Sequence, residues 1–175
     1  MKERILTSLL TVFVISGIQA QAPSPVPKLV VGVTIDQLRA DYIEAFSALY
    51  GERGFKRLLK EGRIYTNAEY DFINVDRSSA TASIYTGTTP YYNGIPSNRW
   101  MDRGSLRIIK SVDDQDFMGV YTSESSSAKL LRCSTLSDEL KVATQGRAEV
   151  YSIAPTREMA ILAAGHAANG AFWLN

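Results

Sequence analysis

At 175 residues, 45% of them hydrophobic and 21% charged, the chain has enough apolar content for one globular domain with a core, which excludes disorder as its ground state. Its 19 basic residues are matched by 18 acidic ones, so there is no cationic excess to neutralise a phosphate backbone, and a nucleic-acid polymer is not an expected partner. The lone cysteine, Cys133, rules out an internal disulfide and reads as a small buried hydrophobe.

In chain order, MKER supplies a positive start, residues 5–18 an apolar run and residues 17–22 a small-residue exit, the pattern of a secretory signal peptide over residues 1–20. Cleavage after Ala20 is favoured, because cleavage after Ala22 would leave Pro23 as the next residue. The apolar run is short for a membrane span, and no cysteine lies nearby to carry a lipid. A soluble protein of the periplasm or the medium is expected, with a mature net charge of about zero. Residues 21–28 contain Pro23, Pro25 and Pro27 and form an extended lead-in.

Residues 29–35, LVVGVTI, have the near-continuous β-branched character of a central parallel strand buried on both faces. Asp36 follows, at the strand end where open α/β sheets bind ligands. It is a candidate metal ligand or general base, or alternatively a cap for the next helix. Residues 41–49 and 54–61 carry helical apolar spacing, and residues 63–70 return to β character. Together these predict a strand–helix–strand unit with a right-handed crossover.

Residues 75–100, VDRSSATASIYTGTTPYYNGIPSNRW, read as a strand-to-helix turn. Asp76 or Ser78 caps a helix of small residues over 79–85, and Gly87 ends it. The small side chains from Ser78 to Ser83 would let that helix lie close to the sheet. A hydroxyl at such a helix start is placed to attack a phosphoryl or sulfuryl centre, or simply to cap.

The motifs LVVGVTIDQLRADY, GFKRLLKEG, SIYTGTTPYYNGIPSNRW and AILAAGHAANGAFW, in that order, resemble the alkaline phosphatase superfamily. The branch they are most similar to is the exported bacterial phosphatases of the nucleotide pyrophosphatase/phosphodiesterase type. The resemblance runs from about Lys28 to Asn175 and covers the N-terminal part of such a domain. It implies an α/β fold, a mainly parallel sheet flanked by helices, and two zinc ions that assist in-line displacement on a small phosphate mono- or diester by a Thr or Ser nucleophile. Asp36 matches the first-strand metal ligand. Asn98 matches the asparagine that contacts a phosphoryl oxygen, although it also reads as a turn residue. Counted back from YTG without a gap, the nucleophile position falls on Arg77. Ser78, one residue later, is then the candidate catalytic hydroxyl, and Arg77 is a candidate for bidentate anion recognition without turnover. These give two functional readings: a metal-dependent phosphoesterase, or a family member that binds an anion and does not hydrolyse. A sulfatase is disfavoured because Cys133 lies far from the helix start.

A Lys, Asp, Arg cluster found in some family members aligns with Thr156, Arg157 and Glu158. Arg157 could stand in for one of the cations, but it reads more simply as an exposed arginine in the first turn of a helix after Pro155. His166 reads as structural, since one histidine cannot build a multi-histidine zinc site. In residues 101–131, Asp113, Asp114 and Asp116 suggest a solvated loop rather than a metal cluster. Thr135 and Asp138 form a capping-box pattern that opens a helix over 135–142, and residues 148–153 a further buried strand. No repeat or second domain is visible. The apolar end of the chain and its single histidine suggest a fragment, with the remaining Asp and His zinc ligands expected beyond residue 175.

Overall fold

The computed structural model describes residues 27–73 and 75–174; the signal-peptide expectation and most of the proline-rich lead-in fall outside them. Backbone contacts divide the chain after Val31. In the first unit, Leu29, Val30 and Val31 are exposed. The second unit begins at Gly32 and holds all the elements that follow.

Its first elements are short helices. α1 (Ala40–Ala45) runs into a 3₁₀ turn (Ser47–Leu49), and α2 (Phe55–Glu61) follows. Helix α3 (Arg77–Thr86) and the one-turn α4 (Pro90–Asn93) come next. Strands β1 (Arg99–Met101) and β2 (Ile108–Lys110) pair antiparallel with Trp100 opposite Ile109. β3 (Asp113–Met118) and β4 (Ser125–Ser126) form a second antiparallel pair with a shift in register. Helix α5 (Leu136–Ala143) precedes β5 (Tyr151–Ala154), α6 (Arg157–Ala164) and β6 (Gly170–Trp173).

Strands β5 and β6 pair in parallel, Tyr151 with Gly170 through Ala154 with Trp173, and α6 connects them. This βαβ unit is where the expected parallel architecture is realised. The one expected over residues 29–70 is not formed: residues 29–35 and 63–70 carry no strand. A β-branched run becomes a strand only when a neighbour pairs its N–H and C=O groups, and no described residue pairs with either run. Val33 and Ile35 are correspondingly exposed. The alternation survives nonetheless: Thr34 Oγ1 meets Tyr85 Oη at 3.3 Å, a Cβ on Gly32 would contact the same phenol, and Asp36 reaches Arg77. Alternate residues of the run thus face α3, as an extended chain places them.

The core lies around α3 and α6. Ile95, Val112 and Leu162 are fully buried and cluster with Ala82, Ala128, Leu131 and Ile161, while Trp100, Leu130, Ala171 and Trp173 pack on them. The small side chains Ser78, Ser79, Thr81, Ala82 and Ser83 are buried on α3, which packs against α6 rather than on a sheet as expected. Asn93, fully buried, ties the following turn together. Its side-chain amide donates to Ser83 Oγ and to the Thr88 carbonyl, and its Oδ1 accepts from Ile95 N–H. Gly94 has φ +81°, and a Cβ there would lie 2.9 Å from the Leu130 carbonyl oxygen, so only glycine fits that turn.

Three further expectations are settled by packing. The Thr135–Asp138 capping box forms as predicted at the start of α5. Asp113, Asp114 and Asp116 lie on β3, not in a solvated loop. Asp114 is buried, accepts from Ser127 Oγ at 2.5 Å and from Lys129 Nζ at 3.3 Å, and its carboxyl is held below the ordinary value chiefly by the Ser127 hydroxyl. Arg157 is also buried, not exposed. Its guanidinium lies 2.7 Å from Asp113, 3.4 Å from Glu124 and 3.7 Å from Glu158, and bonds Ser126 Oγ. Among the described residues no helix is long and apolar enough to cross a membrane.

Candidate active site

The site is built on the start of α3, and Asp76 is its keystone. As N-cap, its Oδ1 accepts from Ser79 N–H at 2.9 Å, while Ser79 Oγ accepts from the Asp76 N–H, a reciprocal capping box. Oδ2 accepts from Ser97 Oγ at 2.8 Å and from Asn98 N–H at 2.7 Å. One carboxylate therefore fixes both the helix start and the 97–98 loop. Burial pushes the Asp76 carboxyl up, but the Ser79 and Asn98 amides and the Ser97 and Ser79 hydroxyls outweigh it and hold the group below its ordinary value.

Asn98, brought to the helix start in this way, turns its Oδ1 to Ser78 N–H at 3.2 Å. Its Nδ2 has no protein partner among the described residues. Its backbone carbonyl accepts from Ser111 N–H, which draws Ser111 beneath the helix. Ser78 is fully buried there, with its Oγ 2.9 Å from Ser111 Oγ. A hydroxyl held inside the protein against a second hydroxyl has no line of approach to an ester arriving from solvent. The expectation that Ser78 serves as the catalytic hydroxyl therefore has no geometric support in this arrangement.

Arg77 occupies the first turn of α3 and points elsewhere. Its Nε donates to Asp36 Oδ2 at 2.7 Å, with both side chains partly exposed. Its two terminal nitrogens have no protein partner among the described residues. Asp36 sits in a turn and does not cap α1, whose N-cap position is Arg39. The turn is strained: Gln37 has φ +60°, a left-handed conformation uncommon for a side-chain-bearing residue. The Tyr70 phenol is pushed up by burial and then by the Asp36 charge, which places it in the field of that carboxylate.

Asp36, Arg77, Ser78 and Asn98 thus lie together at one helix start. His166 and Cys133 do not join them. His166 lies with Nδ1 3.0 Å from Asp138 Oδ2 and Nε2 3.0 Å from the Leu131 carbonyl oxygen, while Asp138 Oδ1 accepts from the His166 and Ala167 amides. It is a structural histidine. The Cys133 thiol, half-buried, donates to the Tyr92 carbonyl. Sequence reasoning passed over Ser97, Ser111 and Tyr70. A serine three residues after Asp76 advertises the capping box, but nothing local marks Ser111, which arrives from the far side of a hairpin.

The two zinc ions implied by the resemblance do not fit the residues seen here. Asp36 is committed to a guanidinium, and among the described residues no three His, Cys, Asp or Glu side chains converge.

The chain as a whole falls in a known class. The family model for type I phosphodiesterase / nucleotide pyrophosphatase matches residues 30–175, and the chain belongs to that phosphoesterase family. It is 42% identical over 150 residues to alkaline phosphatase PhoV of Synechococcus elongatus, covering 84% of this chain and 27% of PhoV. It is 35% identical over 174 residues to alkaline phosphatase PafA of Elizabethkingia meningoseptica, covering 95% of this chain and 32% of PafA. The crystal structure of wild-type PafA superposes with a TM-score of 0.82 at 34% identity, over 86% of this chain and 30% of that one. The fold is therefore that of an alkaline phosphatase in part, as expected, and the chain spans about a third or less of these relatives' length.

Proposed function

We propose that the site at the start of α3 recognises a small phosphate-type anion and does not turn it over. The observation that carries this reading is Arg77: its Nε is spent on Asp36, and its terminal nitrogens remain as a fork for an oxyanion. The unpartnered Nδ2 of Asn98 is a second, neutral donor nearby. The position that would need a nucleophilic hydroxyl carries a guanidinium, and the neighbouring hydroxyl of Ser78 is sealed inside. The near-balanced charge supports a small ligand over a nucleic-acid polymer. The N-terminal pattern supports export to the periplasm or the medium. Calorimetric titration with inorganic phosphate and sulfate tests the reading. Saturable binding that disappears in Arg77→Ala, with no hydrolysis of an aryl phosphate, is the expected result; absence of binding by the parent contradicts it.

A second reading is favoured by the 42% identity to an alkaline phosphatase: metal-dependent hydrolysis of phosphate mono- or diesters by the complete protein. It requires α3 to shift at its start so that Ser78 turns outward, and the missing ligands of two zinc ions to be supplied from outside the described residues. Under that reading, zinc-dependent release of an aryl alcohol is lost in Ser78→Ala and kept in Arg77→Ala.

A further inference from the structure

The disagreement between Asp36 and the zinc site expected for it has a physical form of its own. Asp36 and Arg77 lie 41 positions apart in sequence, yet Nε and Oδ2 close to 2.7 Å. The contact ties the turn that follows residues 32–35 to α3, beside the Thr34–Tyr85 hydroxyl contact. A metal ion shared between a carboxylate of that turn and a ligand on the helix would make the same cross-link and supply the same sign of charge. We infer that the Arg77 guanidinium takes the place of a divalent cation at Asp36, so that this corner of the site is assembled without metal.

Three observations carry it. The guanidinium is fixed at the carboxylate at hydrogen-bond distance, and a cation coordinated by the same oxygen would sit against it and be repelled. The guanidinium is a cation built into the chain, so the charge opposite Asp36 does not depend on metal supply. Two amides of the helix start are satisfied internally, Ser79 N–H by Asp76 and Ser78 N–H by Asn98, so neither depends on an ion. A nucleophile has been exchanged for a fixed cation, and the cation has displaced the need for the metal.

The test uses the full chain and two readouts. Equilibrium dialysis against zinc chloride compares the parent with Asp36→Asn, and thermal unfolding with and without a chelator compares the parent, Asp36→Asn, Arg77→Gln and the double variant. The inference requires zinc uptake equal within about twofold in parent and Asp36→Asn, a midpoint indifferent to chelator, and non-additive effects of the two substitutions. A tenfold or greater loss of zinc affinity in Asp36→Asn overturns it, as do additive effects. Phosphate binding is measured separately: its absence would remove the anion-recognition reading and leave this inference standing, whereas zinc held through Asp36 would remove this inference alone.

Discussion

Helices α3 and α6 pack on each other, and each begins with an arginine, Arg77 and Arg157, but the two serve opposite ends. Arg157 is 8% exposed and is surrounded by Asp113, Glu124 and Glu158, so its charge is consumed by the fold. Arg77 is 48% exposed and meets one carboxylate through one nitrogen, which leaves the rest of its donor fork outward. The same residue type at the same helix position is a structural strut where carboxylates converge from β3 and the 124 loop, and, under the function proposed above, a recognition group where only a turn reaches it. Desolvation separates them: the buried guanidinium of Arg157 meets its carboxylates through both terminal nitrogens, with only its Nε left without a partner, whereas the exposed one of Arg77 keeps its terminal nitrogens outward.

The contrast is broken most severely at the α6 end. Arg157→Ala leaves the Asp113 and Glu124 carboxylates without their cation and is expected to cost about 3 kcal/mol in denaturant unfolding, with phosphate titration of the folded protein unchanged. Asp138→Ala strips partners from Thr135, His166 and Ala167 and should cost about 2–3 kcal/mol by the same measurement. Asp76→Ala removes the α3 cap, worth about 1–2 kcal/mol, and frees the loop that presents Asn98, so it should weaken anion binding as well as stability.

Acid sharpens the same picture. Asp76 and Asp138 both have folded-state pKa values below their ordinary value, because hydrogen bonds to the carboxylates outweigh the opposing effect of burial. Their stabilisation is present above the unfolded value of about 4 and is lost as pH falls through the lower folded values. Stability measured across that window should fall toward low pH, and Asp138→Asn should flatten the fall. Smallest of all in stability is Arg77→Ala, expected within about 1 kcal/mol because its ion pair is exposed. A large stability loss there would place Arg77 with Arg157 as a strut.

The helix start and its cap were legible because their parts are local in sequence. Asp76 as a cap, the small residues of α3, Gly87 and the Thr135–Asp138 box are short-range patterns whose physics does not need the rest of the fold. What was misread depends on distant partners. Residues 29–35 have strand chemistry, but pairing is a property of neighbours, and none is present among the described residues. Arg157 looked exposed because the carboxylates that bury it come from positions 113 and 124, which helical periodicity does not report. Ser78 looked reactive because sequence shows a hydroxyl at a helix start and cannot show Ser111 beneath it.

The most direct test of the account is calorimetric titration of inorganic phosphate into the full chain and into Arg77→Ala, with an aryl phosphate assay run on the same samples. The account predicts saturable binding by the parent, none by Arg77→Ala, and no release of the aryl alcohol by either. Turnover by the parent that survives in Arg77→Ala and vanishes in Ser78→Ala would contradict it.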